Sequence, residues 1–411
     1  MSASNTDRSR RHQARGKIPL ISIAIGVGLT IGLSACADMG RQPAVPVAGT
    51  KRSTVLGIPN ARFVIDDAAP VALATEFRRA YDREVRFVNR TGGTVPPASY
   101  LAISGGGDNG AFGAGLLVGW SKRGTRPTFK AVTGVSTGAL TAPFAFLGPA
   151  YDPSLTEVYT TIDQKDIFER RPALVAVASD SMADTRPLYD LISKYVDDQM
   201  VERLAAEYDK GRLLFIATTN LDAGRAVIWD IGAIAKSRKP GSRDLIRKVL
   251  LASASIPGLF PPVAFDVEYD GAMYQELHAD GGTMTQMFLY PPTIDAGRIA
   301  STLPARQRTA YIIRNGKLTE EWKETDRKTL EIAGRAISTL ITSSGVNDMY
   351  RIYATSKRDG VGFNLAYIES DFTEPRAGQF DREYMNKLFS YGMTKAADGY
   401  HWRKGPPGFR S

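Results

Sequence analysis

Two strand–turn–helix units stand back to back between residues 99 and 147, and no other stretch restricts the fold as tightly. The first reads Tyr100-Leu101-Ala102-Ile103, then Ser104-Gly105-Gly106-Gly107-Asp108-Asn109-Gly110, then the apolar run 111–120. The second reads Phe129-Lys130-Ala131-Val132-Thr133, then Gly134-Val135-Ser136-Thr137-Gly138, then an apolar run to Leu147. Each is a short apolar run, a glycine-rich turn and a segment with helical spacing. In tandem they predict adjacent parallel strands whose turns open on one sheet edge. Ligands bind at that edge in open α/β sheets. The chain is therefore expected to be α/β, with its site on these two turns.

The second turn carries the sharper chemistry. Gly-x-Ser-x-Gly between a strand and a helix is a nucleophile elbow, with the serine on a strained turn and its hydroxyl exposed. A Cβ at Gly134 or Gly138 would crowd that passage, and the helix that follows points its positive end at Ser136. In the first turn, Gly105-x-Gly107-x-x-Gly110 fits a dinucleotide fingerprint, but that reading needs an acid about 20 residues on. No Asp or Glu occurs between Asp108 and Asp152, and no Gly-Lys-Ser/Thr follows, so neither a dinucleotide site nor a P-loop is supported. A nest of backbone N–H groups remains, able to hold an oxyanion beside Ser136. The same glycines also suit close helix packing, as do Gly113, Gly115 and Gly119, and the two roles are compatible.

A serine nucleophile needs a base. Past the first 35 residues the histidines are His278 and His401. Two Asp-Gly-small sites offer carboxylates instead. Residues 265–269 and 273–278 are strand-like, so Asp270-Gly271 reads as a hairpin turn. Asp280 follows the second strand and opens a glycine turn, from which it can reach Ser136, so it is the favoured base. His278, two residues earlier on the same strand face, reads as a buried strand histidine that could orient Asp280. His401 falls in a polar tail.

Four motifs now stand in order: Ser-Gly-Gly-Gly-x-x-Gly, Gly-Val-Ser-Thr-Gly, the run Ala252-Ser253-Ala254-Ser255-Ile256-Pro257-Gly258-Leu259-Phe260-Pro261-Pro262, and Asp280-Gly281-Gly282. Together they resemble the patatin-like phospholipase family over about residues 100–282. The resemblance implies a three-layer α/β/α fold with a mainly parallel central sheet. It implies a Ser–Asp dyad of Ser136 and Asp280, and an oxyanion hole at Gly105, Gly106 and Gly107. Gly110, Gly134, Gly138, Gly281 and Gly282 are the remaining motif glycines. The implied reaction is hydrolysis of lipid or acyl esters without metal or cofactor. One departure is Asn109, where the family commonly carries Lys or Arg; it bears on recognition of a phosphate headgroup more than on ester hydrolysis.

The rest of the chain of 411 residues frames that core. Residues 1–17 hold five basic side chains and one acid, and 18–33 are uncharged and largely apolar. Leu33-Ser34-Ala35-Cys36 follows, so 1–35 reads as a secretory signal peptide. At 16 residues with four glycines or prolines, the apolar run is short for a membrane span. Cys36, the single cysteine, resembles the lipobox of bacterial lipoproteins, which implies lipidation there and a membrane anchor. Ala37, rather than Asp, after it resembles outer-membrane sorting. Residues 36–52 read as a tether and 53–411 as one hydrolytic domain with a helical C-terminal portion.

Without residues 1–35 the chain keeps 47 basic and 42 acidic residues, a net +5 with no run of five like charges, which argues against nucleic acid as a partner. Helices are expected over 66–88, from 184–187 onward, over 197–210 (a plain solvated helix rather than a lid), 245–254, 327–342, a separate one ending near 356, and 381–397. The loop 256–262 is expected to line the acyl pocket. Two functions follow: a lipid-anchored serine esterase or phospholipase, or a non-catalytic lipid-binding envelope lipoprotein.

Overall fold

The five strands at the centre of the sheet all run the same way, which brings the two glycine turns to one edge. The computed structural model describes residues 41–66, 68–171, 181–318 and 324–409. The segment expected to be a signal peptide, and Cys36, lie outside the described residues. Within them the strands are β1 (Arg62–Val64), β2 (Ala98–Ile103), β3 (Ala131–Gly134), β4 (Glu169–Arg170), β5 (Ala183–Asp184), β6 (Leu213–Asn220), β7 (Arg225–Asp230), β8 (Val263–Tyr269), β9 (Ala272–Asp280), β10 (Arg308–Arg314) and β11 (Gly362–Tyr367). The main sheet is ordered β1-β7-β6-β3-β2-β10-β11, with β9 also pairing β6 and carrying β8. β6, β3, β2, β10 and β11 pair parallel, and β1, β7, β8 and β9 add antiparallel pairings. β4 and β5 form a separate two-stranded ribbon.

The parallel strands are buried on both faces, so they read as unbroken apolar runs. All eight residues of β6 are buried. Alternate residues of each strand serve different layers. Leu101, Ile103, Val132, Leu214 and Ile216 join the core containing helices Gly110–Lys122, Thr137–Leu147 and Arg382–Ala397. On the opposite face, Ala102, Ala310 and Ile312 meet Met349 and Ile352 of helix Thr329–Arg358. Phe215 and Ala217 meet Leu73 and Ala80 of helix Ala69–Thr91. Helices on both faces of a parallel-centred sheet make the three layers α/β/α.

Most expected helices form. Helix Asp198–Asp209 buries Met200, Leu204 and Ala205, and Asp197 caps it by accepting the Met200 N–H at 2.8 Å. The helix forms where expected, but it packs one face into the core rather than standing solvated. Asp270 and Gly271 take φ of 51° and 74°, the paired positive angles of a type I′ hairpin turn.

Two further expectations fail. The helix over 327–342 and its successor are one helix, Thr329–Arg358, because Ser343, Ser344 and Gly345 weaken a helix without ending it. Its C-terminal half is core, but Ile332 and Leu340 near its start are 52% and 70% exposed. The described part of the expected tether is docked. Pro43 accepts the Gln275 N–H at 3.0 Å, and Thr54 and Glu268 exchange two backbone bonds of 2.9 Å, so 43–54 lies along the β8–β9 hairpin.

Glycine sets the distance between helices Gly110–Lys122 and Arg382–Ala397. A Cβ on Gly115 would run into the Phe389 carbonyl, one on Gly119 into the Met393 carbonyl, and one on Gly392 into the Phe112 carbonyl. Backbone cannot yield as a side-chain tip can. Gly115→Ala should therefore lower stability by about 1–3 kcal/mol in urea unfolding, although helix propensity alone favours alanine by about 1 kcal/mol. A stabilised variant would show that the two helices are free to separate.

Candidate active site

Ser136 sits between the end of β3 and the first turn of helix Thr137–Leu147, with φ 56° and ψ −127°. A non-glycine residue in that region stores about 1–3 kcal/mol of strain, so its surroundings must hold it there. They do so from both sides. The Ser136 N–H donates to Ser253 Oγ at 3.0 Å, and Ser253 Oγ donates to the Ala217 carbonyl at 2.7 Å. The Ser136 carbonyl accepts the N–H groups of Ala139 and Leu140 at 2.8 and 3.2 Å. Gly134 faces the Gly138 carbonyl where a Cβ would stand, and Gly138 faces the carbonyls of Ile103 and Ser104. No side chain fits at either position.

Asp280 ends β9 and is 1% exposed. Its N–H donates to the Ser255 carbonyl at 2.8 Å, and its carbonyl accepts Thr219 Oγ1 at 3.0 Å. Its Oδ1 accepts the Gly282 N–H at 2.6 Å. The Ser136 hydroxyl stands close enough to the same carboxylate to lower its pKa. Burial pushes the Asp280 carboxyl up to about 7, while Ser136 and the Gly282 N–H draw it back down. Gly281 abuts the Ala217 carbonyl, and Gly282 abuts Gln286 and Asp280 itself, so both glycines let this turn fold inward.

The first glycine turn lies against the elbow: a Cβ on Gly105 would stand 3.1 Å from Ser136 Cβ. Gly105 does not serve as the donor expected of it. Its N–H is engaged, donating to the Gln286 carbonyl at 3.0 Å, and it anchors the turn instead. The N–H groups of Gly106 and Gly107 donate to no acceptor among the described residues and are left as available donors. Gly107 has φ 58°, and a Cβ on Gly106 would strike the Asn315 carbonyl. Gly110 packs on Thr137 and Tyr159. Asn109 Oδ1 accepts the Tyr384 hydroxyl at 2.7 Å, so the residue that departs from the family pattern is tied to helix Arg382–Ala397.

Three supports escaped the sequence reading. Asn315, just past β10, donates its N–H to Ser104 Oγ (2.8 Å) and Nδ2 to the Ser104 carbonyl (2.9 Å), while its Oδ1 accepts the Gly113 N–H (3.1 Å). Asp348 Oδ2 accepts the N–H groups of Gln286 and Met287 at 2.6 and 3.2 Å, which fixes the loop that anchors Gly105. Ser253 lay inside a quoted motif, but nothing in the motif says which atom it holds. For Asn315 the one available signal was its place after a parallel strand; Asp348 had none.

His278 does not orient Asp280 through its ring. Trp229 Nε1 donates to Thr218 Oγ1 at 2.8 Å, so the Thr218 hydroxyl donates to His278 Nδ1 at 2.8 Å. Nε2–H then donates to Glu276 Oε2 at 3.1 Å, and Arg62 pairs with the same carboxylate at 2.5 Å. Burial holds the imidazole's pKa down; burial acts to raise Glu276, but His278 and Arg62 outweigh it and keep that carboxyl at about 2. This is a neutral histidine in a closed network. His401 is exposed. Among the described residues, no group of three or more His, Cys, Asp and Glu is placed to hold a metal.

An open groove of about 770 Å³ lies between residues 163–169 and 377–383. Phe168 and Phe380 line it, and Phe168 stacks on Phe260 of the loop 256–262 at 5.3 Å. Neither Ser136 nor Asp280 borders it.

Strand, strained serine turn and helix at the carboxyl edge of parallel strands, between two helical layers, define an α/β/α protein of nucleophile-elbow type. Residues 101–305 match the family model of patatin-like phospholipases, and the chain belongs to that family. Its fold is the patatin-like α/β/α fold, and the family supports lipid acyl hydrolase activity in general. Among solved structures it is similar to VipD from Legionella pneumophila, at 12% identity and a TM-score of 0.32, over 74% of this chain and 67% of that one. No curated protein matches it.

The raised carboxyl fixes a sign for stability. Asp280 stabilises the fold fully below its unfolded pKa near 3.9, and that contribution is lost as pH rises through about 7. Asp280→Asn should therefore raise the melting temperature more at pH 8 than at pH 5, by about 1–2 °C for each kcal/mol relieved in a chain of this length. Equal shifts at the two pH values would show that Asp280 is not held out of its normal range.

Proposed function

We propose that this chain is a serine acyl hydrolase, a phospholipase A or lipid esterase, working through a Ser136–Asp280 dyad. The observation that carries the reading is a buried carboxylate beside the Ser136 hydroxyl, titrating near neutral pH. An ordinary aspartate near 3.9 is a weak base toward serine; one lifted to about 7 takes a proton far more readily.

Ser136 Oγ attacks the ester carbonyl while Asp280 takes its proton. The carbonyl oxygen becomes an oxyanion facing the N–H groups of Gly106 and Gly107, and the helix starting at Thr137 adds its positive end. Collapse breaks the ester C–O bond, Asp280 returns the proton to the leaving alcohol, and the acyl group stays on Ser136. Water then gives a proton to Asp280 and attacks the acyl carbon; as the C–Oγ bond breaks, Asp280 hands that proton to Ser136 Oγ, which frees the fatty acid and restores the enzyme. Every proton passes through one carboxylate.

Residues 1–35 are proposed as a leader, with Cys36 lipidated and anchoring the enzyme in the bacterial cell envelope, at the outer membrane. Support is the basic start, the apolar run and the lone cysteine. Among the described residues no helix is long and apolar enough to cross a membrane. Two acyl chains suffice for stable anchoring, since each buried CH₂ contributes about 0.8 kcal/mol. Palmitate labelling of the full chain in a bacterial host should therefore disappear in Cys36→Ala; labelling that persists would remove the anchor from the reading.

Fatty-acid release from mixed bilayer lipids and simple esters tests the dyad. Ser136→Ala and Asp280→Ala should each lower kcat by about 10³-fold or more. In the wild type, kcat/KM should rise with pH to a plateau above about 7, because Asp280 must be ionised to act. Bound lipid without turnover, in a folded wild type, would move the assignment to a lipid-binding envelope lipoprotein.

A further inference from the structure

The turn that offers Gly106 and Gly107 continues into Asp108, a carboxylate only 5% exposed. A negative charge one residue from the donors opposes the charge that forms on the carbonyl oxygen, and a dry setting strengthens that opposition. Asp108 is not left alone. Arg376, in the loop before helix Arg382–Ala397, places Nη1 at 2.9 Å from Asp108 Oδ1, and the Phe380 N–H donates to Oδ2 at 3.0 Å. Burial pushes the Asp108 carboxyl up, and Arg376 and the Phe380 N–H pull against it. Both partners come from residues 376–380, outside the segment matching the family model.

We propose that Arg376 is a positioning residue for the oxyanion turn: it neutralises Asp108 from across the fold and so keeps Gly106 and Gly107 fit to stabilise negative charge. The inference rests on the Ser136–Asp280 reading. Arg376 touches no reacting atom, and its guanidinium acts through Asp108. The latch also seats Phe380, whose ring lies 6.2 Å from Phe168 and so continues the aromatic wall reaching Phe260. The Asp108 carboxylate is buried, and leaving it unpaired is costly.

Hydrolysis of a p-nitrophenyl ester by wild type, Arg376→Ala, Arg376→Lys and the double variant Asp108→Asn/Arg376→Ala tests this. Arg376→Ala should lose 10- to 100-fold in kcat with KM changed less than threefold. Arg376→Lys should keep most activity, and the double variant should recover at least tenfold over Arg376→Ala, because no charge remains to neutralise. A merely structural pair predicts the reverse: a lower melting temperature, a double variant as slow as Arg376→Ala, and no kcat-specific loss. That result, or an Arg376→Ala enzyme as fast as wild type, overturns the inference and leaves the dyad standing. A folded wild type that neither turns over nor is labelled at Ser136 by a fluorophosphonate overturns the dyad and this inference with it.

Discussion

The start of the elbow helix touches the end of the neighbouring strand where Gly138 faces the carbonyls of Ile103 and Ser104, and the site depends on that contact. β2 and β3 pair in register up to Ile103 and Gly134, so both chains leave the sheet together. One residue further, the elbow and the glycine turn must share a space with no room for a Cβ. Because they do, Ser136 and the free N–H groups of Gly106 and Gly107 come to lie side by side without any loop reaching out. The proposed pairing of nucleophile and oxyanion donors would follow from parallel pairing plus missing side chains.

Burial does two opposed things to Asp280. It raises the carboxyl toward neutrality, which makes a better base, and it withdraws a charge from water, which weakens the fold once that charge forms. The protein limits the second effect with local bonds. Gly282 N–H holds one carboxylate oxygen, and Ser255 and Thr219 fix the backbone on either side. His278, two residues away, takes no part in this; its Nδ1 accepts from Thr218, its Nε2–H donates to Glu276, and the charge of Glu276 is matched by Arg62. The two buried polar systems under the site are closed separately, so the titration of Asp280 is set by its own surroundings.

What the sequence made legible is whatever leaves a short local signature. Tandem strand–glycine–helix units announce parallel strands and a shared edge, and the glycines around Ser136 and Asp280 stand where a Cβ collides. The hairpin at Asp270-Gly271 is visible because two positive φ angles demand such residues. Long-range hydrogen bonding left no such trace. Gly105 looked like a third donor because glycine implies accessible backbone; its N–H is consumed by Gln286, which is held by Asp348 from a helix 60 residues further on. Likewise, Ser343-Ser344-Gly345 read as a break, since propensity weighs local cost and cannot see that the helix is packed beyond it.

Those unseen supports share one origin. Asn315, Asp348, Arg376 and Tyr384 follow the segment that carries the four motifs, and each holds the first glycine turn or the loop behind it. Ser104 is clamped by Asn315, Gly105 through Gln286 by Asp348, Asp108 by Arg376, and Asn109 by Tyr384. A glycine-rich turn has few conformational restraints of its own, and catalysis by fixed N–H dipoles requires that they not reorganise as charge develops. The C-terminal helices are therefore better understood as the outer wall of the oxyanion turn than as an appendage to a catalytic core. On the proposed mechanism the motifs supply the reacting groups, and residues of the last hundred brace them.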